Sequence, residues 1–319
     1  MGNLGIVFAG GGGKGAYEIG VWKYLHEIGI ERYVSAVSGT SVGALNAALF
    51  ACGDYGIAEG VWKNITSDQI LKKRPITITL IANRVLRNFY IGAVFNNIIN
   101  IGEAPYMFYN VNRLFNALNN NKGKKYGLFS NRINQSTILS ELLSELIAMI
   151  GNDYIFSRDG LRKLINTGID FNKIRKTNVE CSVTCFNCST FKPQYFDLNG
   201  RYKEDVTTLL LASSAIPIVF SKEMFYGAKY CDGGLPLIGN NIPIEPLYER
   251  KIKNIIVVHL DKDKFVDKRK YPDSNIIEIS PSMELGNFID GTLDFNPQNV
   301  DERIDLGYED AKKILESLV

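Results

Sequence analysis

LGIVFAGGGGKGAYEIG, residues 4–20, runs from an apolar stretch, Leu4 to Ala9, into four consecutive glycines, then Lys14 and Gly15. A short apolar run that ends in bare backbone and opens straight into a helical pattern is the strand, loop and helix that begins a parallel α/β sheet. Helical spacing continues through Ala16, Ile19, Trp22, Tyr24 and Leu25, with Gly29 as a C-terminal cap. RYVSAVSG, residues 32–39, reads as a second strand, and SVGALNAALFA, residues 41–51, as a second helix.

Three chemistries use a glycine loop in this place. A phosphate loop of the Walker type needs Ser or Thr after its lysine to hold magnesium, and Gly15 stands there. Gly10, Gly12 and Gly15 satisfy the dinucleotide pattern G-x-G-x-x-G, but the second strand ends in Ser38 and Gly39 where that site needs an acid. The third use is an oxyanion hole, and GTSVG, residues 39–43, supplies the matching nucleophile: G-x-S-x-G at a strand-to-helix turn, with Ser41 at its tip. Taken alone, Ser41 or Thr40 could be a plain helix N-cap. In a parallel sheet, however, neighbouring strand ends share one crevice, which sets Gly11 to Gly13 beside Ser41.

A serine hydroxyl needs a base. The chain has two histidines, His26 on the solvated side of the first helix and His259 inside the strand-like NIIVVHLD, residues 254–261. Asp232, followed by Gly233 and Gly234, sits in a turn that can press its oxygens against another backbone, although Asp-Gly is also an ordinary turn pair.

In their order, GGGGKG, GTSVG and DGG resemble the three blocks of the patatin-like phospholipases. ASSAIPIVF, residues 212–220, and the downstream Asn241 and Pro243 fit the same pattern, and the resemblance spans Leu4 to about Leu260. Lys14 stands where many members have arginine. The resemblance implies a three-layer α/β/α fold with a mainly parallel central sheet, and an acyl hydrolase without metal or cofactor. It implies Ser41 as nucleophile and Asp232 as base, with the amides of Gly11, Gly12, Gly13 and Val42 as oxyanion donors and Gly39, Gly43, Gly233 and Gly234 as supporting glycines. The substrate it implies is a lipid or phospholipid. Two alternatives stay open: an α/β-hydrolase with a Ser41, Asp232, His259 triad, and a lipid-binding protein that keeps the fold without turnover.

The rest of the chain bounds these readings. At 319 residues, with 36 basic and 34 acidic side chains, it is an ordinary globular composition with no nucleic-acid footprint. The whole chain is expected to form one domain, 1–319, with a helical, lid-like insertion at about 66–134, where asparagines abound and the strand–helix rhythm stops. Within it, residues 76–94 carry Ile81, Val85, Phe89 and Tyr90 on one helical face and Arg84 and Arg87 on the other. This pattern suits either a surface helix packed on the core or a lid or membrane-facing element. The N-terminus lacks a signal-peptide pattern and no apolar run is long enough to span a bilayer, so a cytoplasmic location with peripheral membrane contact is expected. The five cysteines fit a reducing compartment. CSVTCFNC, residues 181–188, has the spacing of an iron–sulfur motif, but its alternation reads as a half-buried strand with apolar thiols. DVTTLLLASSAIPIVF, residues 205–220, reads as a helix stopped by Pro217.

Overall fold

The computed structural model describes residues 3–72, 154–217, 219–235 and 238–317. The amphipathic helix expected over 76–94 lies outside the described residues. Among the described residues, eight strands form one sheet: β1 (Leu4–Phe8), β2 (Val34–Thr40), β3 (Glu180–Asn187), β4 (Lys192–Asp197), β5 (Glu223–Phe225), β6 (Ala228–Asp232), β7 (Asn254–Val258) and β8 (Asn275–Ile279). Their order is β5-β6-β3-β2-β1-β7-β8, with β4 also paired to β3. From β3 to β8 the neighbours run parallel, while β4, β6 and β5 are antiparallel additions at one side.

Alternate side chains enter different layers because successive residues of a strand face opposite ways. Ile6 and Phe8 of β1, and Ile256 and Val258 of β7, join a cluster with α1 (Ala16–Glu27), α2 (Val42–Cys52) and the closing helix Pro297–Glu316. Val7, Ile255 and Val257 face the other way, onto Leu247 of the helix Glu245–Glu249. This is the expected three-layer α/β/α arrangement, and double coverage explains why β1 and β7 read as unbroken apolar runs.

Two expectations are corrected. Strand β3 is covered on both faces: Cys181 to Phe186 are all buried. The alternation seemed half-polar because Ser182 is buried with a partner, its hydroxyl donating to Asp197 Oδ1 at 2.6 Å. The helix expected to run to Pro217 is Lys203–Ser213. It ends early because the hydroxyl of Ser213 is drawn to Thr184 O on β3, while that of Ser214 folds back to Leu210 O.

Candidate active site

Ser41 follows the last residue of β2 and precedes α2 with φ +57° and ψ −122°, a conformation a non-glycine residue adopts only when its surroundings impose it. Gly39 and Gly43 impose it. A Cβ on Gly39 would lie 2.1 Å from Gly43 O, and one on Gly43 would lie 2.3 Å from Phe8 O, so the turn closes only over bare backbone. The Ser41 amide donates to Ser213 Oγ at 2.9 Å, which fixes the tip against the helix Lys203–Ser213. Gly43→Ala is expected to lower the unfolding free energy by about 3 kcal/mol, since the obstacle is backbone that cannot yield; urea denaturation measures it.

Strand register delivers Asp232. One edge of β3 is taken by β4 from Ser182 to Asn187. The other edge pairs with β2 as far as Thr40↔Thr184, and then with β6 from Cys185↔Asp232 onward. Asp232, the last residue of β6, therefore meets the chain just where β2 turns into Ser41. Its amide donates to Ala215 O and that of Gly233 to Ser213 O, so ASSAIP holds both halves of the site. Asp232 Oδ1 accepts from the Gly234 amide at 2.8 Å, while Oδ2 is buried with no geometric hydrogen-bond partner among the described residues. Burial pushes the carboxyl pKa up from 3.8 to about 6, against the lowering effects of the Ser41 hydroxyl, the Gly234 amide and the Arg158 guanidinium.

The glycine loop lies on the opposite flank. Gly12 has φ +57°, and among the described residues the amides of Gly11, Gly12 and Gly13 donate to no backbone carbonyl. Asn241 grips the loop by accepting from the Gly10 amide and donating to Gly10 O at 3.0 Å. Lys14 Nζ meets Asp261 Oδ1 at 2.8 Å. Behind the loop, the buried Arg303 donates to Gly13 O, Asp294 O and Asp290 O. The free amides of the loop and the N-terminus of α2, with Val42 at its first position, both suit developing negative charge.

A cleft of about 610 Å³, open mouth included, begins at Gly12, Ser41 and Val42. Its walls are almost wholly apolar, with Trp62, Leu161, Ile216 and Phe295 among them. The Arg158 guanidinium lies over the ring of Phe220, another wall residue, 4.8 Å from its centre. It donates to Leu211 O and Ser214 O and lies 3.6 Å from Glu223.

The other candidates sit elsewhere. His259 is buried, with Nε2 3.0 Å from Glu278 Oε2 on β8, and its described hydrogen bonds do not reach Ser41 or Asp232. Burial moves the His259 pKa down. His26 pairs with Glu31. Cys181 and Cys185 pack on one face of the sheet and Cys188 on the other, so the iron–sulfur spacing does not converge on one centre. Sequence reasoning missed Arg158, Ser213 and Arg303. Ser213 stood inside a motif already marked; Arg158 and Arg303 looked like ordinary charges on helix-forming segments.

The family model of the patatin-like phospholipases matches residues 6–248. The lysophospholipase nte1 of Aspergillus terreus is 45% identical over 49 residues, which are 15% of this chain and 3% of that protein. Among solved structures, VipD from Legionella pneumophila superposes with a TM-score of 0.50 at 14% identity, covering 98% of this chain and 66% of that one. The type III effector ExoU of Pseudomonas aeruginosa gives 0.43 at 16% identity, covering 99% and 53%. The chain thus spans less than two thirds of each of these relatives.

Proposed function

The chain belongs to the patatin-like phospholipase family, and on that footing we propose that it hydrolyses carboxylic acyl esters of lipids through a Ser41–Asp232 dyad. The observation that carries the reading is the pairing of a strained serine at the mouth of an apolar cleft with a buried carboxylate whose Oδ2 has no geometric hydrogen-bond partner among the described residues. Lipid ester hydrolysis is the activity family membership implies. The dyad is our assignment.

In this mechanism Asp232 Oδ2 takes the Ser41 proton as Oγ attacks the acyl carbonyl. The amides of Gly11, Gly12, Gly13 and Val42 receive the oxygen that becomes negative, and the apolar cleft takes the acyl chain away from water. The alcohol or lysolipid leaves with the proton from Asp232. Water activated by the same carboxylate then releases the fatty acid and restores Ser41. Contact between serine and carboxylate tightens with substrate in place, as catalytic hydrogen bonds commonly do.

We read the whole chain as one hydrolase domain with an insertion at about 66–134, because segments on both sides of it build one sheet. Among the described residues, no helix is long and apolar enough to cross a membrane.

Leu161 tests the cleft. It is half-buried on the helix Asp159–Gly168, where a larger side chain can enter the cavity without displacing the sheet. Leu161→Trp is expected to cut kcat/KM on long-chain relative to short-chain p-nitrophenyl esters by about tenfold or more. An unchanged ratio would remove the acyl chain from this cleft.

A further inference from the structure

The site makes no use of Cys188 or Cys231. Cys188 lies just past the end of β3 and Cys231 on β6, with their sulfurs 3.6 Å apart, and both are free thiols. We propose that Cys188 and Cys231 form a reversible disulfide site beside Asp232, closed by peroxide oxidants.

The ladder holds the two sulfurs in place. Phe186 pairs with Cys231, and the Cys188 amide donates to Lys229 O at 2.9 Å, so both cysteines sit on one antiparallel ladder between β3 and β6. Closing the bond needs a further approach of about 1.5 Å, within the reach of side-chain rotation and small strand movement. The pair is also unequal. Cys188 is half-buried, and its thiol pKa is lowered by the hydrogen bond it shares with Cys231 and by the positive charges of Lys222 and Lys229, against the opposing effect of burial. Cys231 is wholly buried, with its thiol pushed up by that hydrogen bond and by desolvation. An accessible thiolate with a buried resolving thiol in contact is the arrangement that redox-sensing pairs need.

The chemistry follows from that order. The Cys188 thiolate attacks one oxygen of hydrogen peroxide; the O–O bond breaks, hydroxide leaves, and the sulfur becomes a sulfenic acid. Cys231 Sγ then attacks Cys188 Sγ, the S–O bond breaks, and the departing oxygen leaves as water with the Cys231 proton. Two thiols are oxidised and one peroxide is reduced to two oxygens at the level of water. Competing thiols are set apart: Cys181 and Cys185 are buried on the opposite face, and Cys52 is pushed up to about 11, mainly by burial.

Coupling to catalysis rests on the reading of Asp232 as the base. Cys231 precedes Asp232 and packs with Phe186, Ala215 and Leu235, while Ala215 O holds the Asp232 amide. Drawing Cys231 toward Cys188 shifts the strand end that aims the carboxylate.

The test treats the full chain with graded hydrogen peroxide, followed by non-reducing peptide mapping and an ester assay. The expected result is a Cys188–Cys231 linked peptide, lost in Cys188→Ser and opened by dithiothreitol. In parallel, hydrolysis should fall about tenfold or more, as ångström-scale misplacement of a catalytic group does; Cys188→Ser should keep its activity through the same treatment. Absence of the link, or a link from Cys188 to another cysteine, overturns the proposal. A link without loss of hydrolysis overturns the coupling. If the reduced protein hydrolyses no ester, the dyad reading fails, while the linked peptide still decides the disulfide.

Discussion

Replacing Ser41 by alanine should bring ester hydrolysis down by about 10⁴-fold or more, to the level of the solution reaction with bound substrate. No other described hydroxyl stands at once at the cleft mouth, at the N-terminus of a helix and beside a buried carboxylate. The loss should come without unfolding. Ser41 is anchored through its amide to Ser213, a contact alanine preserves. A p-nitrophenyl ester assay beside a thermal melt separates the two effects: activity should vanish while the melting temperature stays within a few degrees. Retained turnover would move the nucleophile elsewhere.

Asp232→Asn should lower turnover by about 10²- to 10⁴-fold, the range for a lost general base. Wild-type kcat/KM should fall as pH drops through about 6, where the buried carboxyl gains a proton and can no longer accept one from Ser41. The asparagine variant should lack that limb. Stability should move the opposite way. A carboxyl raised from 3.8 to about 6 in the folded chain favours folding below about pH 4, and that contribution is lost as pH rises through 6. At pH 8 the ionised group costs on the order of 3 kcal/mol, part of which a neutral amide recovers while still accepting the Gly234 amide. Urea denaturation should therefore find the variant more stable than wild type at pH 8, with the difference shrinking toward pH 4. A variant less stable at pH 8 would show that the carboxylate is well solvated or paired.

The legible parts of this molecule are those written in local pattern. β1, the glycine loop and α1 follow from an apolar run, bare backbone and helical spacing. The elbow follows from glycines on both sides of Ser41, because close backbone approach forbids a side chain there whatever lies further off. Asp232 stood out for the same reason, with two glycines behind it. What stayed hidden depends on partners distant in sequence. Arg303 secures the glycine loop from a helix that begins 282 residues after Gly15, and nothing near it signals that its charge is buried. Arg158 resembles any other arginine at a helix start. β3 looked half-exposed because burial of Ser182 depends on Asp197 reaching across from β4. The delivery of Asp232 depends on β3 changing partner from β2 to β6 along one edge, a matter of register that alternation alone does not encode.

The proposed nucleophile is Ser41, activated by Asp232. The most direct measurement is labelling with a fluorophosphonate probe, which acylation-competent serines attack, followed by mapping of the modified peptide. The expected result is a single adduct on Ser41, absent in Ser41→Ala and formed far more slowly in Asp232→Asn. An adduct on a different residue, or ester hydrolysis by a protein whose Ser41 takes no label, would contradict it.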